Sequence, residues 1–183
     1  MDRKQVDAIL GTFRIIVDNR EQVTPKARRR YKAFGAVEHA TLSYGDYCGN
    51  IDINGRPLLD TSARISPACA IERKMSLDEL AMCFTRGRAR FEREFQRAKE
   101  KGAKVYLLVE DATYEDIIKH RYRSKFAATA FLASLLTWSV RYNLTVVFCR
   151  SETSGDLIRE ILFWEMRERL ETDRCGNTQI KNT

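Results

Sequence analysis

The sequence predicts an α/β domain in which a central sheet is flanked by helices around one core. Two observations carry that prediction. Compact apolar runs of strand length, at 13–18, 68–74, 104–110 and 145–150, alternate with longer stretches of helical periodicity. Cap and turn residues punctuate most of the junctions between them. At 183 residues the chain can bury one sizeable core, and no repeat, low-complexity tract or linker divides it. Residues 1–12 read as an N-terminal segment, 13–171 as the single domain, and 172–183 as a polar, flexible tail.

Taken in order, FRIIVD (13–18) is a buried strand ending in a carboxylate. Thr24 as N-cap, Pro25 at the first helical position and Gly35 as the stop define a helix over 24–35. Residues 37–60 read as strands about an Asn54-Gly55 hairpin turn. ACAIERK (68–74) is the next strand, after which Ser76 and Glu79 form an S-x-x-E capping box that opens a helix. Gly87 breaks that helix, and a second one runs to Lys101-Gly102. A buried strand at 104–110 and a short helix at 113–119 lead into a long apolar helix over 124–143, closed near Asn143. The last strand is 145–150, and an amphipathic helix covers 154–171.

Composition narrows the function. No run of about 18 apolar residues is present, so no membrane span is expected. The N-terminus lacks the apolar stretch of a secretory signal. Five cysteines, odd in number and without zinc spacing, predict reduced thiols in the cytoplasm. With two histidines, a histidine-rich metal site is excluded, as are the nucleophile elbow G-x-S-x-G and the phosphate loop G-x-x-x-x-G-K-[ST]. The net charge of +7 favours a polyanionic partner, and arginine concentrates in KARRRYK (26–32) and TRGRARFEREFQRAK (85–99). Lys26, Arg28, Arg29 and Arg30 on the first segment, and Arg86, Arg88, Arg90, Arg93 and Arg97 on the second, are the candidate phosphate contacts, because guanidinium forks match phosphate oxygens.

The acids supply the chemistry. Asp18 and Glu21 sit at the exit of the first strand, Asp46 precedes a turn, and Glu72 and Lys74 share one strand face at i and i+2. If these strands are neighbours, the carboxylates converge and repel unless a cation lies between them. Oxygen donors without thiols or imidazoles favour Mg²⁺, with Mn²⁺ able to substitute. A lysine beside such a site can orient a water or stabilise charge on a phosphate. Asp78, in the first turn of a helix, reads equally well as a structural acid favoured by the helix dipole.

The ordered set VDNRE (17–21), GDY (45–47) and ERKMSLD (72–78), followed by GRARFEREFQR (87–97), closely resembles the motifs of XPF-type structure-specific endonucleases of the PD-(D/E)xK superfamily. That resemblance covers roughly 13–150. It implies a restriction-endonuclease-like mixed central sheet flanked by helices, and Mg²⁺-dependent cleavage of DNA near branches, flaps or junctions. It implies that Asp46 and Glu72 bind metal, with Asp18 beside them, that Lys74 is the catalytic lysine, and that Arg73, Arg20 and Glu21 border the site with Asp78 behind it. XPF-type enzymes of eukaryotes and archaea append helix-hairpin-helix modules, for which the residues after the last strand leave no room, so the resemblance is to a minimal, free-standing nuclease of the kind found in bacteria and their viruses. Two other readings stay open: a catalytically inactive DNA-binding scaffold, and a nuclease acting as a four-way junction resolvase or restriction-like enzyme. The apolar sets on 124–142 and 154–171 are wider than one core-facing stripe needs, which predicts a homodimer through these helices with Phe163 or Trp164 near its centre.

Overall fold

The structure, a computed structural model, describes residues 1–172. The elements run α1 (Arg3–Leu10), β1 (Arg14–Asp18), α2 (Pro25–Phe34), β2 (Val37–Ala40), β3 (Tyr47–Asn50), β4 (Asp52–Ile53), β5 (Arg56–Pro57), β6 (Cys69–Lys74), α3 (Leu77–Phe84), α4 (Arg88–Glu100), β7 (Lys104–Glu110), α5 (Tyr114–Ile118), α6 (Ala128–Tyr142), β8 (Leu144–Cys149) and α7 (Ser154–Glu171). Six strands form one mixed sheet in the order β2-β1-β3-β6-β7-β8. β1 pairs parallel to β2 and antiparallel to β3, β3 pairs antiparallel to β6, and β6, β7 and β8 are mutually parallel. Only β3 therefore runs against the others.

Each strand divides its side chains between two helical layers, as a period of two requires. Val105, Leu107 and Val109 of β7 pack under α3, α4 and α6, where Trp138 is enclosed by Phe84, Phe91 and Phe95. Leu108 of β7 joins Ile15, Val17, Tyr47 and Ile71 under α2 and α7. α6 and α7 thus lie on opposite faces of the sheet. Truncating Trp138 to Ala costs about 3–5 kcal/mol, the range for a large aromatic lost from a closed core.

Local chemistry explains most boundaries. Thr24 accepts from the Ala27 amide, Pro25 opens α2, and Gly35 closes it at φ +77°. Asn54 and Gly55, both at positive φ, form the turn of the β4–β5 hairpin, which stands apart from the main sheet. Asn143 ends α6 in the left-handed region. Residues 124–127 lie before α6 rather than within it. The expected capping box at α3 is half formed: Ser76 accepts from the Glu79 amide, but the Glu79 carboxylate reaches the Met75 amide instead of that of Ser76. α1 was not expected; its own capping box joins Asp2 and Gln5, and Val6 and Leu10 bury against α7. Cys48, Cys69, Cys83 and Cys149 are free thiols. The expected tail from 173 onward and Cys175 lie outside the described residues. Among the described residues no helix is long and apolar enough to cross a membrane.

Candidate active site

Strand direction gathers the acids. The carboxyl ends of β1, β6 and β7 lie at one edge of the sheet, and because β3 runs the other way, its amino end lies there too. That edge is where open α/β sheets commonly bind ligands. Asp46, one residue before β3, bridges its neighbours through its backbone: its amide donates to the Ile71 carbonyl at 2.7 Å, and its carbonyl accepts from the Asp18 amide at 2.9 Å. Gly45 makes this possible. It sits at φ +75°, and a Cβ there would lie 2.7 Å from the Ala70 Cβ. The Asp46 carboxylate is then fixed by the Arg73 amide, which donates to Oδ2 at 2.7 Å.

Glu72 and Lys74 share the face of β6 that looks toward α4. The Lys74 ammonium donates to Glu72 Oε1 and lies 5.1 Å from the centroid of the Phe91 ring. Glu72 Oε2 is buried and has no hydrogen-bond partner among the described residues. Asp46, Glu72, Lys74 and Glu94 line one cavity of about 360 Å³, with Arg86 and Arg90 also on its wall. Burial, then Glu72, pushes the Asp46 carboxyl well above the usual range. The same two causes push Glu94 up to about 7. Burial disfavours the Lys74 ammonium, but Glu72 and Asp46 outweigh it and hold the proton more tightly than usual. Asp46 and Glu72 offer carboxylate oxygens of the kind a hard cation takes, and Glu21, Glu79 and Glu94 line the same cavity. Among the described residues no group of three or more His, Cys, Asp or Glu is arranged to hold a metal on its own.

Asp18 does not belong to that donor set. Its Oδ1 accepts from the Arg20 amide at 2.8 Å and from Arg20 Nε at 2.6 Å, and its Oδ2 accepts from Arg20 Nη2 at 3.1 Å and the Leu42 amide at 2.7 Å. A carboxylate so saturated positions Arg20 and the β2–β3 connection instead of a cation. Glu21 accepts from the Tyr47 hydroxyl at 2.8 Å and faces Arg73 at 3.6 Å and Arg30 at 3.8 Å. Arg73 and Arg30 also share Glu110, each at 3.2 Å, and Glu110 is wholly buried.

The basic residues divide similarly. Arg86, Arg90 and Arg93 are exposed, with the first two at the cavity. Arg88 stacks over Trp138 at 5.2 Å, and Arg97 Nε donates to the Ser43 carbonyl at 2.9 Å, so both carry structural duties. Lys26, Arg28 and Arg29 are exposed on α2, but Arg30 is 4% exposed and committed to its acids, so it does not present to a phosphate as expected. Asp78 accepts from the amides of Arg123 and Ser124 at 2.9 and 2.8 Å and pins that loop to α3.

Two residues escaped the sequence reading. Glu94 lies between the buried Phe91 and Phe95 of α4, and that position is the signal that it turns inward. Glu110 ends an apolar strand just as Asp18 does, and that pattern could have found it.

Together the fold and the site define a restriction-endonuclease-like α/β domain with a cavity at one sheet edge lined by carboxylates, arginines and a lysine. The chain belongs to the ERCC4 domain family, whose model matches residues 17–161, and this bears out the XPF-type resemblance in its motifs. Among solved structures it is similar to XPF from Aeropyrum pernix, at 19% identity and a TM-score of 0.58 over 81% of this chain and 64% of that one. It is also similar to the same protein in complex with DNA, at 22% identity and a TM-score of 0.57 over 88% of this chain and 66% of that one. This likeness is one of fold, and the chain spans about two thirds of the length of those relatives. No curated protein matches the sequence.

Proposed function

We propose that the chain is a divalent-cation-dependent endonuclease that hydrolyses one strand of DNA beside a branch, flap or junction. The observation that supports this most is the meeting of Asp46 and Glu72 on one cavity, with Lys74 bonded to Glu72 and Glu72 Oε2 left without a partner. Family membership, and a fold neighbour solved with DNA, support the substrate class.

Asp46 and Glu72 would hold Mg²⁺, or Mn²⁺ in its place. Magnesium keeps several waters and takes only one or two carboxylates beside substrate phosphate, so a set of two carboxylates with one orphaned oxygen fits it. Once bound, such an ion supplies a Lewis acid at the phosphate and lowers the pKa of a nearby water. Glu72 and Asp46 hold the Lys74 proton more tightly than usual, which suits it to donate rather than to accept. Lys74 donates, orienting the water and stabilising negative charge on the phosphate in flight. Arg86 and Arg90 would grip flanking phosphates, with Arg93, Lys26, Arg28 and Arg29 extending the path.

The proposed enzyme works as a homodimer in the cytoplasm, on DNA under repair or recombination. Two copies would supply the second grip that a branched substrate needs. The pairing surface runs over α6, where Leu136 is 56% and Val140 87% exposed, and along the free edge strand β8. Trp164, 57% exposed on α7, remains a candidate contact, whereas Phe163 packs on Phe13 at 5.4 Å within the chain and is withdrawn from the interface.

The test compares nicking of labelled flap, fork, four-way and linear duplex DNA with and without Mg²⁺. Metal-dependent cuts favouring branched forms are expected. Equal cutting of linear duplex would point to a restriction-like enzyme, preference for the four-way form to a resolvase, and binding without cutting to an inactive scaffold.

A further inference from the structure

We propose that Glu94 is a third carboxylate of the cation centre, reaching the bound divalent ion through one of its waters. The inference rests on Asp46 and Glu72 being that ion's ligands.

α4 is anchored by Phe91 and Phe95, and the side chain of Glu94 between them is 13% exposed on the cavity wall. Among the described residues Glu94 makes no hydrogen bond, and its one ionic contact is Arg20 Nη2 at 4.0 Å. That distance is too long for a hydrogen bond. The Arg20 fork is already committed to Asp18 and to the Leu42 carbonyl. An acid kept only to pair Arg20 has no reason to sit beyond its reach. Glu94 instead shares the cavity with Glu72 and Asp46, where the buried Lys74 is bonded to Glu72.

Asp46, Glu72 and Glu94 share the cavity with Lys74, already bonded to Glu72, and with arginines of which Arg86 and Arg90 are exposed; a divalent ion among the three carboxylates would relieve their mutual repulsion. A separate feature points to a ligand in the same place: the buried Glu72 Oε2 has no partner. The described residues offer no three-acid cluster close enough to bind a metal directly. Water is therefore the link, and magnesium retains its waters readily. Partners of this kind commonly change metal affinity by about 10–100-fold.

The test is calorimetric titration of the full chain with Mn²⁺, without DNA, alongside melting temperatures with and without the ion. Glu94→Gln is expected to weaken Mn²⁺ binding by about 10–100-fold and to shrink the rise in Tm that Mn²⁺ produces. Without the ion, it should melt no lower than wild type. Glu94→Asp keeps the charge and should fall between the two. Glu100→Gln, an exposed acid on the same helix, should bind as wild type does. Glu94→Ala gives the same reading where the glutamine variant misfolds. Wild-type Mn²⁺ affinity in both Glu94→Gln and Glu94→Ala, with affinity lost in Glu72→Gln, overturns the role of Glu94 alone. A wild-type chain that takes up no Mn²⁺ at millimolar concentration overturns this proposal together with the ligand assignment beneath it.

Discussion

Replacing Glu110 by Gln removes the carboxylate that the buried Arg30 and the half-buried Arg73 both approach most closely. Arg30 and Arg73 each approach it at 3.2 Å, and it is wholly enclosed at the end of β7. Removing one partner of a buried ion pair costs about 3–5 kcal/mol, because a desolvated charge is left uncompensated. Glu21 remains nearby at 3.6 Å from Arg73 and 3.8 Å from Arg30, which places the expected loss near the lower end of that range. At a urea slope of roughly 2 kcal/mol per molar, a loss of about 3 kcal/mol moves the unfolding midpoint down by about 1.5 M. The double variant Arg30→Met with Glu110→Gln removes one charge of each sign and leaves Arg73 with Glu21. It is expected to recover most of the loss, ending within about 1 kcal/mol of wild type, because neighbouring charges couple non-additively. Equilibrium urea unfolding followed by tryptophan fluorescence measures both. A single variant that loses under about 1 kcal/mol, or a double variant less stable than the single, would refute the reasoning that these charges compensate one another.

Glu94 makes stability depend on pH: burial and Glu72 raise its carboxyl from 4.5 to about 7 in the folded chain, so its contribution is full below about 4.5 and lost as pH rises through about 7. In chelator, the Tm of Glu94→Gln should therefore gain on wild type over that window and run parallel above it. Replacing Arg86 and Arg90 by Ala should weaken binding to all DNA forms alike and flatten the salt dependence by about one unit per lost phosphate contact; Arg97→Ala, tied to Ser43, should change the slope little. Leu136→Glu with Val140→Glu should give a folded monomer in sedimentation with weakened binding to branched DNA, and a wild-type monomer at micromolar concentration would remove the dimer from the account.

Local signals in the sequence were strong where chemistry is local. Thr24, Pro25 and Gly35 bound α2 as expected, Asn54-Gly55 turns the hairpin, and Glu72 and Lys74 share a face because strand periodicity demands it. Order in the sheet was not legible, since β2-β1-β3-β6-β7-β8 depends on pairings between distant segments. For the same reason the sequence could offer Asp18 as a ligand but not reveal that Arg20 and the Leu42 amide saturate it. Arg30 looked like its exposed neighbours in KARRRYK; only the packing of α2 against the sheet shows that its partner is Glu110. α1 was legible in the Asp2–Gln5 pair but lay outside the apolar runs that defined the domain.

The central claim is that the cavity holding Asp46, Glu72 and Lys74 is where DNA is cut. Single-turnover cleavage of a labelled flap in Mg²⁺ by Glu72→Gln, with DNA affinity measured in parallel, tests it most directly. Binding equal to or tighter than wild type is expected, since a negative charge near phosphate is lost, with cleavage slower by about 100-fold or more. Cleavage by Glu72→Gln at the wild-type rate would contradict the account.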